Sequence, residues 1–234
     1  MSVKRRDLLK SAPVGLLALG VPALPRAAQV EQAAPVAPQA YTFLRPSEAA
    51  FIERLSEHMV PADDLSPSGF QLGIALYIDR ALSSGWGKGE RLYQQGPFAE
   101  GTPAQGYQLG LPPARLFRVA TAGLFVHVRQ TTQRAWSELD EAGFETLLQQ
   151  LAGNQQVLDG VPSGVYFEML YGLVREGLFA DPAYGGNRDK GGWRLLGFPG
   201  VIQSNRRNIV RFHDRPYRAE PLAIADVSGW SGER

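Results

Sequence analysis

Asp181, Asn187 and Asp189 are the residues of this sequence whose types come closest to those of a metal site. Hard cations such as calcium favour carboxylate and amide oxygens. The spacing of the three residues matches no EF-hand loop, and Asx side chains also commonly stabilise turns. Calcium binding is one interpretation. We favour the other, an Asx-stabilised loop in which Arg188 pairs with a carboxylate.

Acid–base chemistry would depend on the three histidines of the chain. His213 precedes Asp214, which suggests an acid–base pair, but no nearby serine lies in a G-x-S-x-G pattern and sequence neighbours seldom form a triad. His127 lies between two valines on an apolar helical segment, which favours a hydrogen-bonded core or interface residue over a metal ligand. His58 is expected near a helix end, where a cation is mildly favoured. The histidines therefore argue against a hydrolase.

Redox chemistry has little support in the residue types. The chain contains no cysteine, which excludes disulfides, thiolate catalysis, iron–sulfur ligation and covalent haem attachment. No G-x-G-x-x-G follows a predicted strand. The glycines of residues 85–89 (GWGKG) lack the preceding strand and the Gly-Lys-Ser/Thr ending of a phosphate-binding loop. We therefore predict no catalytic residue, no metal ligand and no cofactor site in this chain.

The N-terminal segment, residues 1–28, predicts export by the twin-arginine pathway. Arg5 and Arg6 are followed by Leu8 and Leu9 and then by a mildly apolar run over residues 12–25, an order typical of a twin-arginine signal. A membrane anchor is the alternative, but this run of about 14 residues is interrupted by proline and glycine, whereas a spanning helix needs about 20 apolar residues. No clean small-x-small cleavage triplet follows, and positions 27 and 28 are the nearest candidates.

Length and charge restrict the class of protein. The chain has 234 residues and a formal net charge of +1. The segment 1–28 carries +4, so the remainder carries +1 − 4 = −3. A chain of about 206 residues suffices for one domain with a substantial core. A mildly acidic domain does not favour nucleic acid as a partner.

Apolar spacing and turn residues predict the organisation of the chain. Residues 29–40 are rich in Ala, Pro and Gln and predict a flexible linker, so the folded domain is expected over residues 41–200. Helices are predicted from Pro46 to just before Pro61 and over residues 70–83, 114–132, 144–151 and 163–176. The last of these is apolar nearly all round and is expected to be central and buried.

The remaining segments predict long connections. Residues 85–113 are expected to form a long ordered loop, and residues 180–200 are rich in glycine and proline. Residues 201–234 form an Arg-rich tail that is expected to pack on a partner. The fold class is therefore all-α, an irregular helical bundle with long Gly/Pro-rich loops.

Residues 178–200 carry the most specific motif, with six glycines, two prolines, two aspartates and a tryptophan. The matching runs are FADP (179–182), YGGNRD (184–189), GW (192–193) and GFPG (197–200). They strongly resemble the gluconate 2-dehydrogenase subunit 3 family, the small subunits of bacterial membrane-associated sugar and polyol dehydrogenases. The twin-arginine leader, the helix ending in MVPAD (59–63) and the YID run (77–79) fit the same family.

The resemblance implies partners rather than an activity. Such small subunits pair with a large flavoprotein subunit of the glucose–methanol–choline oxidoreductase class, which binds FAD. A multi-haem cytochrome c subunit commonly passes the electrons to membrane quinone. No catalytic residue or cofactor of the family belongs to the small subunit.

The resemblance also implies a location. The large subunit usually lacks an export signal, so the pair would cross the membrane together through the twin-arginine translocase. The complex would then lie in the periplasm, attached to the outer face of the cytoplasmic membrane through a partner subunit.

The Gly/Pro-rich loops and the tail are expected to lie across the large subunit, with main-chain contacts and aromatic anchors dominating. The predicted interface residues are Tyr184, Asn187, Arg188, Asp189, Trp193, Phe198, Arg207 and Arg211. The arginines of the tail, interleaved with Phe212 and Tyr217, have two other interpretations: a solvated basic stretch, or attraction to nucleic acid or anionic lipid. The export signal argues against nucleic acid.

A second hypothesis belongs to a different class of protein. The chain would be a stand-alone periplasmic sugar-binding protein or enzyme, and Trp86, Tyr93 and Tyr107 of the 85–113 loop would line its pocket. Tight sugar binding by the isolated chain would distinguish this hypothesis from that of an accessory subunit.

Overall fold

The computed structural model describes residues 40–99, 101–201 and 206–227. The predicted export signal and the linker up to residue 39 lie outside the described residues. Within them the α-helices are α1 (Pro46–Met59), α2 (Ile74–Ser83), α3 (Gly85–Lys88), α4 (Pro113–Thr132), α5 (Glu141–Ala152), α6 (Ser163–Phe179), α7 (Gly191–Leu196), α8 (Arg206–Arg211) and α9 (Ile224–Val227). Two short antiparallel strands are β1 (Val157–Leu158) and β2 (Val161–Pro162). The all-α prediction is confirmed.

Local sequence explains where the longer helices begin. Pro46 occupies the first helical position of α1, and the Glu48 carboxylate accepts a hydrogen bond from the Arg45 N–H at 2.8 Å. Asp140 caps α5 by accepting from the N–H three residues later at 2.8 Å. The α2 helix begins at Ile74 rather than at residue 70, because Gly73 has a φ of 76° that interrupts the helix.

The core lies between α1, α2, α4, α5 and α6. Phe51 contacts Phe144 edge-to-face, with ring centroids 6.0 Å apart. Phe117 packs against Tyr166, which is fully buried and forms a hydroxyl–hydroxyl hydrogen bond with Thr121 at 2.6 Å. A buried phenol needs such a partner, because an unsatisfied hydroxyl is costly in an apolar interior. The core therefore joins helices from both halves of the domain.

The sequence predicted a central, buried helix over residues 163–176, but α6 is buried on one side only. Tyr166, Leu170 and Leu173 are buried, but Tyr171 is 39% exposed and stacks on Phe167 with centroids 6.2 Å apart. The apolar residues of α6 therefore supply both a core face and an aromatic stripe at the surface.

The structure also contains local elements that the sequence patterns did not predict. Strands β1 and β2 form a hairpin across Asp159 and Gly160, which have positive φ values of 48° and 85°. The 85–113 connection contains α3 and a 3₁₀ turn over Pro103–Gln105, while residues 90–99 are exposed. Further 3₁₀ turns cover Trp136–Glu138, Pro182–Tyr184 and Arg188–Lys190. These pieces shorten the irregular stretches without changing the fold class.

Candidate functional site

Residues 178–200, here called the glycine-rich segment, are shaped by side chains that bind main-chain groups. Asn187 is fully buried and has a φ of 47°, a conformation that asparagine tolerates better than most residues. Its amide nitrogen donates to the Ala180 carbonyl at 2.8 Å, and its amide oxygen accepts from the Gly192 N–H at 2.9 Å. Asn187 therefore ties the end of α6 to the start of α7.

Trp193 fixes α7 against the end of α6. Its indole N–H donates to the Phe179 carbonyl at 2.7 Å, and the residue is only 5% exposed. Phe198 meets the indole edge-to-face at 5.3 Å and is itself 45% exposed. This packing requires glycine at position 192, because a Cβ there would lie 2.0 Å from the Leu178 carbonyl oxygen.

Two of the three candidate calcium ligands, Asp181 and Asn187, form hydrogen bonds that shape the loop. The carboxylate of Asp181 accepts from the Ala183 N–H at 2.9 Å and from the Ile224 N–H at 2.8 Å. The amide oxygen of Asn187 is already bonded, and Asp189 is exposed. Among the described residues, no group of three His, Cys, Asp or Glu side chains is placed to hold a metal. The geometry is that of an Asx-stabilised loop.

Among the described residues, Arg188 forms no ion pair with a carboxylate, so the pair that the sequence suggested is not found there. Its guanidinium donates to the Gln71 carbonyl at 3.0 Å, and its main-chain N–H donates to the Leu72 carbonyl at 3.0 Å. Both bonds attach the glycine-rich segment to the turn before α2. The uncharged carbonyls of that turn take the place of a carboxylate.

The eight predicted interface residues divide by burial. The side chains of Asn187 and Trp193 are enclosed by the chain itself, so they shape the glycine-rich segment rather than form its outer surface. Arg188 is half-buried and bonded as described. The exposed members are Tyr184, Asp189, Phe198, Arg207 and Arg211. Their role in binding a partner subunit stays a prediction. The five exposed residues have side chains that a partner could contact.

A concave groove lies beside the glycine-rich segment. This aromatic groove has a volume of about 620 Å³ and is lined by Tyr77, Arg80, Ala81, Ser84, Trp86, Glu176, Ala183 and Tyr184. One sign of it was present in the sequence: Tyr77, Arg80 and Ser84 recur at i, i+3 and i+7 along α2 and its C-cap. These positions share one helical face.

The three aromatic residues proposed to line a pocket of the 85–113 loop do not lie together. Trp86 lines the aromatic groove, whereas Tyr93 is 80% exposed. The Tyr107 hydroxyl donates to the Leu111 carbonyl at 3.0 Å and so closes its own turn. Of the three, Trp86 is the residue that contributes to the aromatic groove.

Residues 206–218, here called the basic arm, carry five arginines and Asp214, a net charge of +4. Main-chain hydrogen bonds join the residues on either side of the arm. The Val201 N–H donates to the Leu222 carbonyl at 2.7 Å, and the Leu222 N–H donates to the Pro199 carbonyl at 3.0 Å. Helix α8 exposes Ile209 (69%) and Val210 (79%) beside its arginines. The arm therefore presents cationic and apolar side chains together.

The histidines contacting carboxylates occupy structural or exposed positions. His58 contacts Glu141 through Nδ1 and Glu145 through Nε2, the latter at 2.6 Å. Hydrogen bonds from His58 and from Gln149 lower the pKa of the Glu145 carboxyl. The ring of His213 contacts the carboxylate of its neighbour at 2.9 Å, but both side chains are largely exposed.

The glycines of residues 85–89 form a helical turn rather than a phosphate-binding loop. The Ser84 hydroxyl accepts from the Trp86 N–H at 3.2 Å, and Gly89 ends α3 with a φ of 77°. A Cβ on Gly87 would lie 2.0 Å from the Leu82 carbonyl oxygen. Gly87 therefore allows α3 to pack closely against α2.

The fold and its surfaces define a class of protein, a small helical protein. The polar side chains of its loops bind its own main chain, and an aromatic groove and a basic arm are exposed. The chain belongs to the gluconate 2-dehydrogenase subunit 3 family, whose model matches residues 46–200. No curated protein and no solved structure matches the chain. No helix of the described ranges is long and apolar enough to span a bilayer. Membership of this family makes the chain a dehydrogenase subunit, with dehydrogenase subunits as its partners.

Proposed function

We propose that the chain is a non-catalytic small subunit of a membrane-associated, periplasmic FAD-dependent dehydrogenase that oxidises a sugar or polyol of the gluconate type. The chain would support folding and stability of the flavoprotein subunit and carry it through the twin-arginine translocase. The observation that carries this proposal is the combination of the family match over residues 46–200 with Arg5 and Arg6 near the N-terminus.

The described residues support an accessory role. Dehydrogenation of an alcohol needs a hydride acceptor and a base near the substrate. Asp181, Asn187 and Arg188 of the glycine-rich segment each bind main-chain groups of the same chain. We therefore assign FAD to the large subunit of the glucose–methanol–choline oxidoreductase class and haem c to a multi-haem cytochrome subunit.

The export role has a direct test. Replacing Arg5 and Arg6 by lysine keeps the charge but removes the guanidinium groups, which lysine does not reproduce. Both the small subunit and the flavoprotein are expected to accumulate in the cytoplasm, measured by cell fractionation and dehydrogenase activity. Arg26→Lys is the matched control, because it changes an arginine outside the pair. Normal periplasmic dehydrogenase activity in the double variant would contradict joint export.

The subunit role is tested by purification of the tagged chain from cells that produce the whole complex. The flavoprotein is expected to co-purify in a fixed ratio, because obligate interfaces commonly bury more than about 2,000 Å². Recovery of the chain as a lone stable monomer, with active flavoprotein elsewhere, would contradict the proposal.

A stand-alone periplasmic sugar-binding protein or enzyme is the second candidate, and the aromatic groove is the observation that favours it. Exposed rings of Trp86 and Tyr184 beside Arg80 and Glu176 suit the apolar face and hydroxyls of a sugar. Titration of the isolated chain with gluconate and related polyols, followed by tryptophan fluorescence, tests this candidate. Tight binding without a partner would favour it.

A further inference from the structure

We propose that the aromatic groove receives an extended segment of the dehydrogenase large subunit that places an apolar or aromatic side chain beside a carboxylate. This inference rests on the proposed function, since it assumes the large subunit as partner. It goes further by naming the docking site and the chemistry of the segment that docks there.

The floor of the groove is one face of α2 and its C-cap. Tyr77, Arg80, Ala81 and Ser84 line the groove, whereas Ala75, Ile78 and Leu82 on the opposite face are buried in the core. Helix α2 is therefore held rigidly by the domain while its other face stays open. A rigid floor lowers the entropy lost when a partner binds.

The walls of the groove are aromatic. Trp86 on α3 is 44% exposed, and Tyr184 on the glycine-rich segment is 57% exposed. Tryptophan, tyrosine and arginine are the residue types that most often dominate binding energy, particularly where they surround a pocket. The volume of about 620 Å³ is in the range of sites that enclose one or two large side chains or a small molecule.

The charges in the groove indicate what the incoming segment carries. The Tyr77 hydroxyl donates to the Glu176 carboxylate at 2.9 Å and occupies one acceptor position of this carboxylate. The Arg80 guanidinium donates to the Ala183 carbonyl at 3.3 Å, and it forms no ion pair with a carboxylate of the described ranges. A guanidinium has five N–H donors, so Arg80 retains donors for a carboxylate from outside.

The groove fits a partner common to the family better than the basic arm does. All eight lining residues fall within residues 46–200, the part of the chain that the family model matches. The basic arm begins at Arg206 and lies beyond that match. A surface that serves the shared partner is expected within the shared part of the chain.

Photocrosslinking in cells that produce the whole complex tests the site directly. A benzophenone amino acid replaces Tyr184 in one variant and Tyr93, which is 80% exposed outside the groove, in the control variant. Position 184 is expected to crosslink to one contiguous segment of the flavoprotein that contains Asp or Glu, identified by mass spectrometry, with at least tenfold higher yield than position 93. Crosslinks to a second copy of this chain, or equal yields at both positions, would overturn the proposal.

Substitutions test the charge and the rings separately. Arg80→Glu and Tyr184→Ala are each expected to weaken retention of the flavoprotein at least tenfold, measured by quantitative pull-down of the full-length chain. Arg91→Glu, on the exposed stretch 90–99, is expected to change it less than twofold. Tyr184→Ala removes only an exposed ring, so it stays informative if Arg80→Glu fails to fold, as judged by thermal unfolding.

The outcomes separate this inference from the proposed function. If the wild-type chain does not co-purify with a flavoprotein, the proposed function fails. If the wild-type chain co-purifies and the groove variants bind as well as wild type, only the groove assignment fails. Gluconate-dependent quenching of the groove tryptophan in the isolated chain would overturn the assignment as well, since the occupant would then be a sugar.

Discussion

Asp79 holds the start of the folded domain on α2, and its replacement is the sharpest test of how this fold is stabilised. The side chain is buried, with 1% of the residue exposed. One carboxylate oxygen accepts from the Phe43 and Leu44 N–H groups at 2.8 Å, and the other accepts from the Thr42 N–H and hydroxyl at 2.9 Å. Four donors thus converge on one carboxylate.

The cost of Asp79→Asn follows from this geometry. The variant keeps the shape of the side chain, but its NH₂ group replaces one oxygen and faces at least one main-chain N–H donor in either orientation, although the Thr42 hydroxyl can turn to accept from it. At least one charge-assisted hydrogen bond is therefore lost, at about 1.5–3 kcal/mol, and the remaining bonds lose their charge. We expect a loss of about 3–5 kcal/mol from a total stability of roughly 5–15 kcal/mol.

Urea unfolding of the full-length chain, followed by tryptophan fluorescence, measures this free energy. The matched control is Asp63→Asn, since Asp63 also accepts two main-chain N–H bonds, from Leu65 and Ser66 at 2.9 Å, but is exposed. The control is expected to lose less than about 1 kcal/mol, because water replaces an exposed bond. A loss in Asp79→Asn no larger than in the control would refute the reasoning.

The remaining predictions concern stability. Asn187→Ala is expected to lower the free energy of unfolding by about 3 kcal/mol, because the buried side chain loses two hydrogen bonds and alanine tolerates the positive φ less well. Asn187→Gly is expected to recover about 1 kcal/mol of that loss, because glycine adopts a positive φ freely. Equal losses in urea unfolding would contradict this reasoning. Gly172→Ala in α6 should stabilise the protein by about 0.5–1 kcal/mol, since an added Cβ has no neighbour within 4 Å. Gly186→Ala should destabilise it, since the added Cβ would lie 2.1 Å from a carbonyl oxygen of α6. Thermal unfolding of the two variants and the wild type measures both effects. The hydrogen bond from His58 lowers the pKa of the Glu145 carboxyl below its ordinary value of 4.5. The stability that this bond contributes is therefore fully present above pH 4.5 and is lost as the pH falls through the lowered pKa. Wild type and Glu145→Gln should therefore converge in stability at low pH, and a constant difference would argue against the contact.

The longer helices were predictable because the apolar spacing and the residues that begin and end helices indicated the same bounds. The predicted helices over residues 114–132 and 163–176 correspond to α4 and α6, within a few residues at each end. The beginning of α2 was placed too early, because the apolar pattern runs through Gly73 and only the backbone conformation of that glycine separates the turn from the helix.

The β-hairpin was missed although its signal was present. Asp159-Gly160 is a dipeptide that favours a two-residue hairpin turn, because both residues tolerate positive φ. Strands of two residues, such as β1, give no alternating pattern to detect. Here the turn residues carried more information than the strands.

The candidate site was only partly predictable for a related reason. Residue type indicated that Tyr184 and Trp193 are both suited to an interface, but not that the Trp193 indole already has a partner in the Phe179 carbonyl. The aromatic groove combines residues from α2, α3, α6 and the glycine-rich segment. Their proximity depends on tertiary packing, which one-dimensional spacing does not encode.

The attachment of the basic arm has a consequence for how this tail can evolve. Its return point is fastened by main-chain groups of Leu222 and Ile224, the latter bound by the Asp181 carboxylate. Every amino acid except proline offers the same N–H, so substitutions at positions 222 and 224 keep these two N–H bonds. The exposed side chains of the arm can therefore change, and with them the partner that the arm binds, while the helical domain stays the same.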